Sequence, residues 1–236
     1  MKLIGFYDYT VVLTYLSLIS SVFGITQAIH GDSRAAIFCL ALSGACDAFD
    51  GLVARTKKNR TQDEKNFGIQ LDSLCDVVCF GVFPALICYT QGVRGGLGLP
   101  ILFFYCLCAV IRLAFFNVLE AKRQKNEGGG NKVYRGLPVT SIAFIMPIFF
   151  LLQIFMSDAA FLVVLYVLPA LVGFLFILDF PLKKPSLKQL LIMIATVGVT
   201  VAVIFACTRE RRPDRQGEVD EIVDGVVEEI YATENP

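Results

Sequence analysis

Leu97-Gly-Leu-Pro-Ile-Leu-Phe-Phe-Tyr-Cys-Leu-Cys-Ala-Val-Ile-Arg112-Leu-Ala-Phe-Phe-Asn117-Val-Leu119 runs for twenty-three residues with Arg112 as its one Lys, Arg, Asp or Glu. A bilayer core of about 30 Å takes roughly 20 helical residues, so this stretch is long enough to cross it as a helix. Comparable apolar runs lie at Tyr9–Ile29, Ala35–Val53, Ile69–Tyr89, Leu137–Met156, Ala159–Leu178 and Leu187–Cys207. The expected fold is therefore all-α: a polytopic membrane helix bundle of about seven transmembrane helices. The whole composition agrees, with 56% hydrophobic and 18% charged residues, net charge +0 and mean hydropathy +0.65 over 236 residues. A soluble domain carries nearer a quarter charged residues, and a membrane barrel shows short alternating segments; both classes are excluded. The first run is too long for a signal peptide and no small-residue cleavage site follows it, so it counts as a helix.

Lys and Arg set the expected orientation. Arg55, Lys57, Lys58, Arg60 and Lys65 follow the second run, Lys122, Arg123, Lys125, Lys132 and Arg135 the fourth, and Lys183, Lys184 and Lys188 the sixth. The alternate loops hold Arg34 and Arg94. The basic side, with the N-terminus, is expected to be cytoplasmic, in a multi-pass protein of the cell membrane. Residues 1–207 form the membrane domain and 208–236 a charged, partly disordered tail with a weakly amphipathic stretch at Val219–Ile230. Seven crossings would place that tail outside, yet it opens with Arg209, Arg211, Arg212 and Arg215. Either an eighth crossing or a re-entrant segment is hidden in the runs, or the nine acidic residues of the tail let it cross.

The eight cysteines, Cys39, Cys46, Cys75, Cys79, Cys88, Cys106, Cys108 and Cys207, all lie in apolar runs and read as reduced packing residues. The one histidine, His30, stands at a helix end away from them, which argues against zinc. The chemistry must lie with charges inside the membrane, where an ionised group is costly unless partnered. Asp47 and Asp50 are spaced i,i+3 and Asp72 and Asp76 i,i+4, so each pair shares a helix face, and a short loop makes the two helices neighbours. Four carboxylates at one depth repel one another, and with no Lys on these faces their natural counterions are divalent cations held through oxygen, here two of them. Carboxylates capping helix ends, or a proton relay, are the blander readings. Gly51 and Ala54 on the Asp47 stripe, and Gly68 one turn before Asp72, add small residues that leave a cleft for a bulky ligand.

Asp47-Ala-Phe-Asp50-Gly51-Leu-Val-Ala54-Arg55, followed by Gly68-Ile-Gln-Leu-Asp72-Ser-Leu-Cys-Asp76, resembles the signature of the CDP-alcohol phosphatidyltransferases, D-x2-D-G-x2-A-R, a spacer, then G-x3-D-x3-D. Twelve residues separate Arg55 from Gly68, more than the family usually has; the extra length falls in a polar loop. Within the family, Leu71-Asp72-Ser73-Leu74-Cys75-Asp76, Phe80-Gly-Val-Phe-Pro84-Ala85, Arg112-Leu-Ala-Phe-Phe-Asn117 and Arg135-Gly136-Leu137-Pro138 resemble the phosphatidylserine synthases. Phe115 stands where their pattern has a second arginine. The resemblance covers about residues 5–180, so the last run is an addition to a six-helix core.

The resemblance implies transfer of the phosphatidyl group from CDP-diacylglycerol to L-serine, giving phosphatidylserine and CMP, with two divalent metal ions, Mg²⁺ or Mn²⁺. It implies Asp47, Asp50, Asp72 and Asp76 as metal ligands, with Asp76 also the general base. Gly51, Ala54, Arg55 and Gly68 would bind CDP-diacylglycerol, and Arg112, Asn117 and Arg135 are candidates for a serine or phosphate site. The partners are those two substrates and the lipid bilayer, with no nucleic acid and with a homodimer as a candidate assembly. Two other readings stand beside this one. A sister enzyme would use glycerol 3-phosphate or an inositol phosphate as acceptor; a divalent-cation transporter would explain the aspartates but not Gly51, Ala54, Arg55 and Gly68.

Overall fold

The structure is a computed structural model that describes residues 4–207 apart from 55, 58, 126–132 and 184–185; the side chains of 123–125, 133–135 and 183 also lie outside the description. Its helices are α1 (Val12–Ile29), α2 (Ser33–Ala54), α3 (Gln62–Asp76), α4 (Phe83–Thr90), α5 (Gly95–Lys125), α6 (Ile142–Leu151), α7 (Asp158–Ile177) and α8 (Leu187–Cys207). Among the described residues six helical runs are long and apolar enough to cross a membrane, and Val139–Ile154 is a shorter apolar one. The helical membrane bundle expected from the apolar runs is what forms.

Two runs differ from the sequence expectation in an instructive way. The third helix begins at Gln62, seven residues before Ile69, because Thr61 and Glu64 form a capping box: Glu64 N donates to Thr61 Oγ1 (3.2 Å) and Thr61 N to Glu64 Oε2 (2.8 Å). That cap extends the helix into polar sequence where hydropathy gives no signal. The same run changes winding after Asp76, where Val77–Val82 are π-helical before α4 resumes. Pro84 has no N–H for the carbonyl of Phe80 four residues back, and the buried Tyr105 hydroxyl of α5 donates to that oxygen instead at 2.6 Å. The fifth run, expected as Leu137–Met156, is a 3₁₀ turn (Val139–Ser141), α6 and a second 3₁₀ turn (Leu152–Ile154), with Leu137 and Pro138 left outside the helix.

Lipid is as apolar as a leucine side chain, so close packing and hydroxyl hydrogen bonds, more than burial from water, hold such helices together. Large apolar residues such as Phe23, Phe103, Val167 and Val199 accordingly face outward. Inside, α1 meets α2 through small residues: Ser17 and Ser43 hydroxyls lie 2.6 Å apart and Ser21 Oγ donates to Ser43 Oγ at 2.9 Å. A methyl group on Gly44 would overlap the Ala143 side chain, so α2 and α6 touch backbone to methyl. On the other side Gly173 brings α7 against α5, its absent Cβ leaving 3.1 Å to the Tyr105 Cα. Ile37, Leu40, Phe80, Phe83, Met146 and Leu168 fill the middle.

The connections that carry most of the Lys and Arg gather at one end. Lys57 Nζ sits 2.8 Å from Asp8 Oδ2, tying the start of the chain to the α2–α3 loop. The segments after α5 and α7 pair as an antiparallel two-stranded ribbon, β1 (Val133–Arg135) with β2 (Pro181–Lys183). At the far end Arg34 lies over the Phe205 ring (5.8 Å), so the C-terminal end of α8 stands beside the start of α2. No eighth crossing is present among the described residues, and the expected tail, 208–236, lies outside them.

Candidate metal and substrate site

Helix periodicity places Asp47 and Asp50 on one face of the last two turns of α2, and Asp72 and Asp76 on one face of α3. The folded bundle turns those faces toward each other. Carboxylate oxygens of Asp47, Asp50 and Asp72 all lie within 4.8 Å of one another. Asp76, only 8% exposed, lines the same cavity. Like charges this close in a medium that excludes water cost several kcal/mol unless something offsets them.

Part of the offset is built from hydroxyls. Thr140 Oγ1 donates to Asp47 Oδ2 at 2.8 Å, and Thr14 Oγ1 donates to Asp50 Oδ2 at 3.1 Å. Asp72 Oδ1, in contrast, is buried with no hydrogen-bond partner. An oxygen-only donor set of carboxylates, one with a buried oxygen left open, fits a hard divalent cation.

The cavity has a volume of about 600 Å³ and two kinds of wall. Its polar end carries the four aspartates with Thr140, Ser141 and Arg112; its apolar side is formed by Leu113, Phe116, Phe144 and, from the β2–α8 region, Leu182, Leu187, Leu190 and Met193. Arg112, 6% exposed, donates from Nε to the Leu137 carbonyl at 3.1 Å. That carbonyl is held in place because Gly136 takes a left-handed φ of 77° and passes its N–H to Phe180 O at 2.8 Å. A Cβ at Gly136 would stand 2.9 Å from the Leu178 carbonyl, so glycine is required both by the backbone angle and by the space.

The remaining residues singled out from the sequence are distributed around this centre. Gly51 lines the cavity, and a Cβ added to it would meet nothing within 4 Å. Ala54 ends α2 one turn further toward the basic end. Gly68 lies one turn before Asp72, packed against the Arg60 guanidinium, whose Nη2 would be 2.7 Å from a Cβ there. Asn117 accepts from Ser73 Oγ at 2.8 Å, a bond between α5 and α3, and is outside the cavity wall. Arg135 is placed by its backbone alone, in β1, and Arg55 lies outside the described residues.

Sequence reasoning missed Thr14, Thr140 and the α8 wall. A threonine inside an apolar helix ordinarily bonds the carbonyl one turn back, as Thr200 does with Thr196, so the residue type carries no signal of its own. Proximity of Thr140 to the Gly136-Leu137-Pro138 segment was the available clue.

The CDP-alcohol phosphatidyltransferase family profile matches residues 10–165. A CDP-diacylglycerol–serine O-phosphatidyltransferase of Saccharomyces cerevisiae is 38% identical over 136 residues, 56% of this chain and 47% of that protein. An archaetidylserine synthase of Methanothermobacter thermautotrophicus is 32% identical over 165 residues, 69% of this chain and 66% of its own length. A CDP-diacylglycerol–serine O-phosphatidyltransferase of Methanocaldococcus jannaschii is 31% identical over 204 residues, 86% of this chain and 85% of that protein. The match thus spans about half of the yeast relative. Four aspartates on two adjoining helices, in a membrane bundle matched by the profile from the start of α1 into α7, place the chain in the CDP-alcohol phosphatidyltransferase family, which uses divalent metal ions.

Proposed function

We propose that the protein transfers the phosphatidyl group of CDP-diacylglycerol to L-serine, at a site facing the cytoplasm of the cell that holds it in its membrane. The observation that carries this reading is the union, in one cavity of about 600 Å³, of a carboxylate cluster with an apolar wall. A nucleotide-activated lipid has those two ends. The relatives named as serine transferases, and the stretches at Asp72–Asp76 and Arg112–Asn117, support serine as the acceptor.

Asp47, Asp50, Asp72 and Asp76 would hold two divalent ions, Mg²⁺ or Mn²⁺, which when bound offset the pyrophosphate charge and align it for in-line displacement. The chain's own groups do the rest. Gly51 leaves room for the nucleotide at the cavity wall, with Ala54, Gly68 and Arg55 of the signature as further candidates for binding CDP-diacylglycerol. Leu187, Leu190 and Met193 give the acyl chains an apolar surface. Arg112 supplies a buried guanidinium for the serine carboxylate or the lipid phosphate, with Arg135 and Asn117 as further candidates. Asp76 accepts the proton of the serine hydroxyl as its oxygen bonds the phosphorus bearing diacylglycerol; the bond from that phosphorus to the bridging oxygen breaks, and CMP leaves with that oxygen.

The test is purified protein in mixed micelles with CDP-diacylglycerol and Mn²⁺ or Mg²⁺, offered labelled serine, glycerol 3-phosphate and inositol phosphate in parallel. Label is expected in lipid only with serine, with one CMP released per lipid formed, and not after chelation. Faster labelling from either phosphorylated alcohol would overturn the serine assignment. Steady metal flux in liposomes without lipid product would favour transport instead.

A further inference from the structure

We infer that Thr140 is a positioning residue for Asp47: its hydroxyl fixes one carboxylate oxygen so that the other is presented to the metal. The inference rests on the metal reading of the aspartate cluster and goes beyond it, to a residue outside the aspartate signature.

The geometry is a ruler between two antiparallel helices. Gly44 of α2 has no side chain where the Ala143 methyl of α6 sits, and this fixes the distance and register of the two segments. Three residues onward along α2 is Asp47; three residues back from Ala143 is Thr140. The two therefore meet, and Thr140 Oγ1 donates to Asp47 Oδ2 at 2.8 Å. The donor comes from the 3₁₀ turn Val139–Ser141 that follows Pro138, a short piece tied to the Gly136 and Arg112 contacts already described. Thr140 bonds the carboxylate here where an α-helical threonine usually bonds a backbone oxygen.

A bond to one oxygen stops the carboxylate from rotating about its terminal torsion, which is otherwise broad. Asp72 Oδ1 is buried and unpartnered, and carboxylate oxygens of Asp47, Asp50 and Asp72 lie within 4.8 Å of one another, close enough to share one cation. Holding Asp47 in register with that oxygen raises affinity by removing conformations that cannot ligate, as the groups behind metal ligands do elsewhere at roughly 10–100-fold in affinity or activity.

The experiment compares wild type, Thr140→Val, Thr140→Ser and Asp47→Asn of the full chain in detergent, first by circular dichroism and melting, then by calorimetric titration with Mn²⁺ alone. Thr140→Val is expected to keep its helical spectrum and bind Mn²⁺ about 10-fold more weakly. Thr140→Ser, which keeps the hydroxyl, is expected to stay within about twofold of wild type. In turnover the Val variant should need more Mn²⁺ for half-activation while its rate at saturating metal falls less. Mn²⁺ binding by Thr140→Val equal to wild type, with Asp47→Asn impaired, overturns the role of Thr140 alone. Absence of Mn²⁺ binding by the wild type overturns the metal reading and this inference with it. If Thr140→Val fails to fold, Thr140→Ser and a Thr140→Ala variant decide: equal Mn²⁺ affinity in both overturns the proposal.

Discussion

Gly51 gives the sharpest separation of folding from function. Glycine in a helix costs up to about 1 kcal/mol relative to alanine, so α2 carries this residue against its own stability. Two other helical glycines have a packing reason, since a methyl on Gly24 would overlap Phe83 and Cys39 and one on Gly44 would overlap Ala143, whereas Gly96 and Gly198, which do not line the cavity, would meet nothing. Gly51 has none, since a Cβ there meets nothing within 4 Å. Gly51→Ala should therefore stabilise the ligand-free protein by some 0.5–1 kcal/mol, read as a melting shift of about 2–4 °C per kcal/mol in a chain of this size. The same methyl enters the cavity beside Asp50, and so the apparent KM for CDP-diacylglycerol should rise while that for serine holds; Gly51→Leu should raise it much further. The assay is thermal melting in detergent together with CMP release at varied concentrations of each substrate. A melting point that falls in Gly51→Ala would refute the reading of open space, and an unchanged CDP-diacylglycerol KM in Gly51→Leu would refute the cleft.

Asp72→Asn is expected to fold, to melt no lower than wild type without metal because repulsion in the cluster is relieved, and to lose Mn²⁺ binding and turnover; calorimetry and CMP release report both. Asp76→Asn should keep more of the CDP-diacylglycerol binding than Asp72→Asn yet lose the chemical step by about 10²–10⁴-fold, which single-turnover CMP release measures. Outside the membrane, Lys57 and Thr10 hold the Asp8 carboxyl down at about 2 from its ordinary 3.8. A depressed carboxylate contributes above its ordinary value and ceases to as pH falls through the folded one, so protection of residues 4–12 from hydrogen exchange, corrected for intrinsic rate, should drop between pH 4 and about 2. Asp8→Asn should lack that drop.

Most of the bundle was legible because a membrane span is written in length and apolarity, and the aspartate pairs were legible because an ionisable residue in such a run has few innocent explanations. What stayed hidden is of three physical kinds. Polar helix extension, as at Thr61–Glu64, depends on a cap that hydropathy does not weigh. The π-helical turn after Asp76 depends on Pro84 and on Tyr105, twenty-one residues further on, so neither local window contains its cause. The hydroxyl partners of Asp47 and Asp50 come from α6's leading turn and α1, ninety-three and thirty-six residues away, and only packing brings them there. Orientation was read from Lys and Arg alone, and the β1–β2 ribbon and the Asp8–Lys57 pair gather the same loops by contacts that charge counting does not supply.

Leu113, Phe116 and Phe144 of the apolar wall lie in the same part of the chain as the polar end, but the rest of that wall comes from further on. The aspartates, Thr140 and Arg112 all lie within the family-matched residues 10–165, whereas Leu182, Leu187, Leu190 and Met193 follow it. Charge stabilisation at the polar end is stronger the less water reaches it, because an interaction between charges grows as the local dielectric falls. On the proposed function, the apolar residues from α8 would therefore act on the electrostatics of the aspartate cluster as well as on lipid fit. Such a wall would lower the dielectric beside the carboxylates while offering no oxygen or nitrogen that could ligate, donate or accept. If the aspartates hold cation and pyrophosphate as proposed, a polar residue at Leu190 or Met193 should let water toward them and weaken both interactions, which calorimetric titration with Mn²⁺ and CDP-diacylglycerol would measure; unchanged affinities would refute a role for this wall.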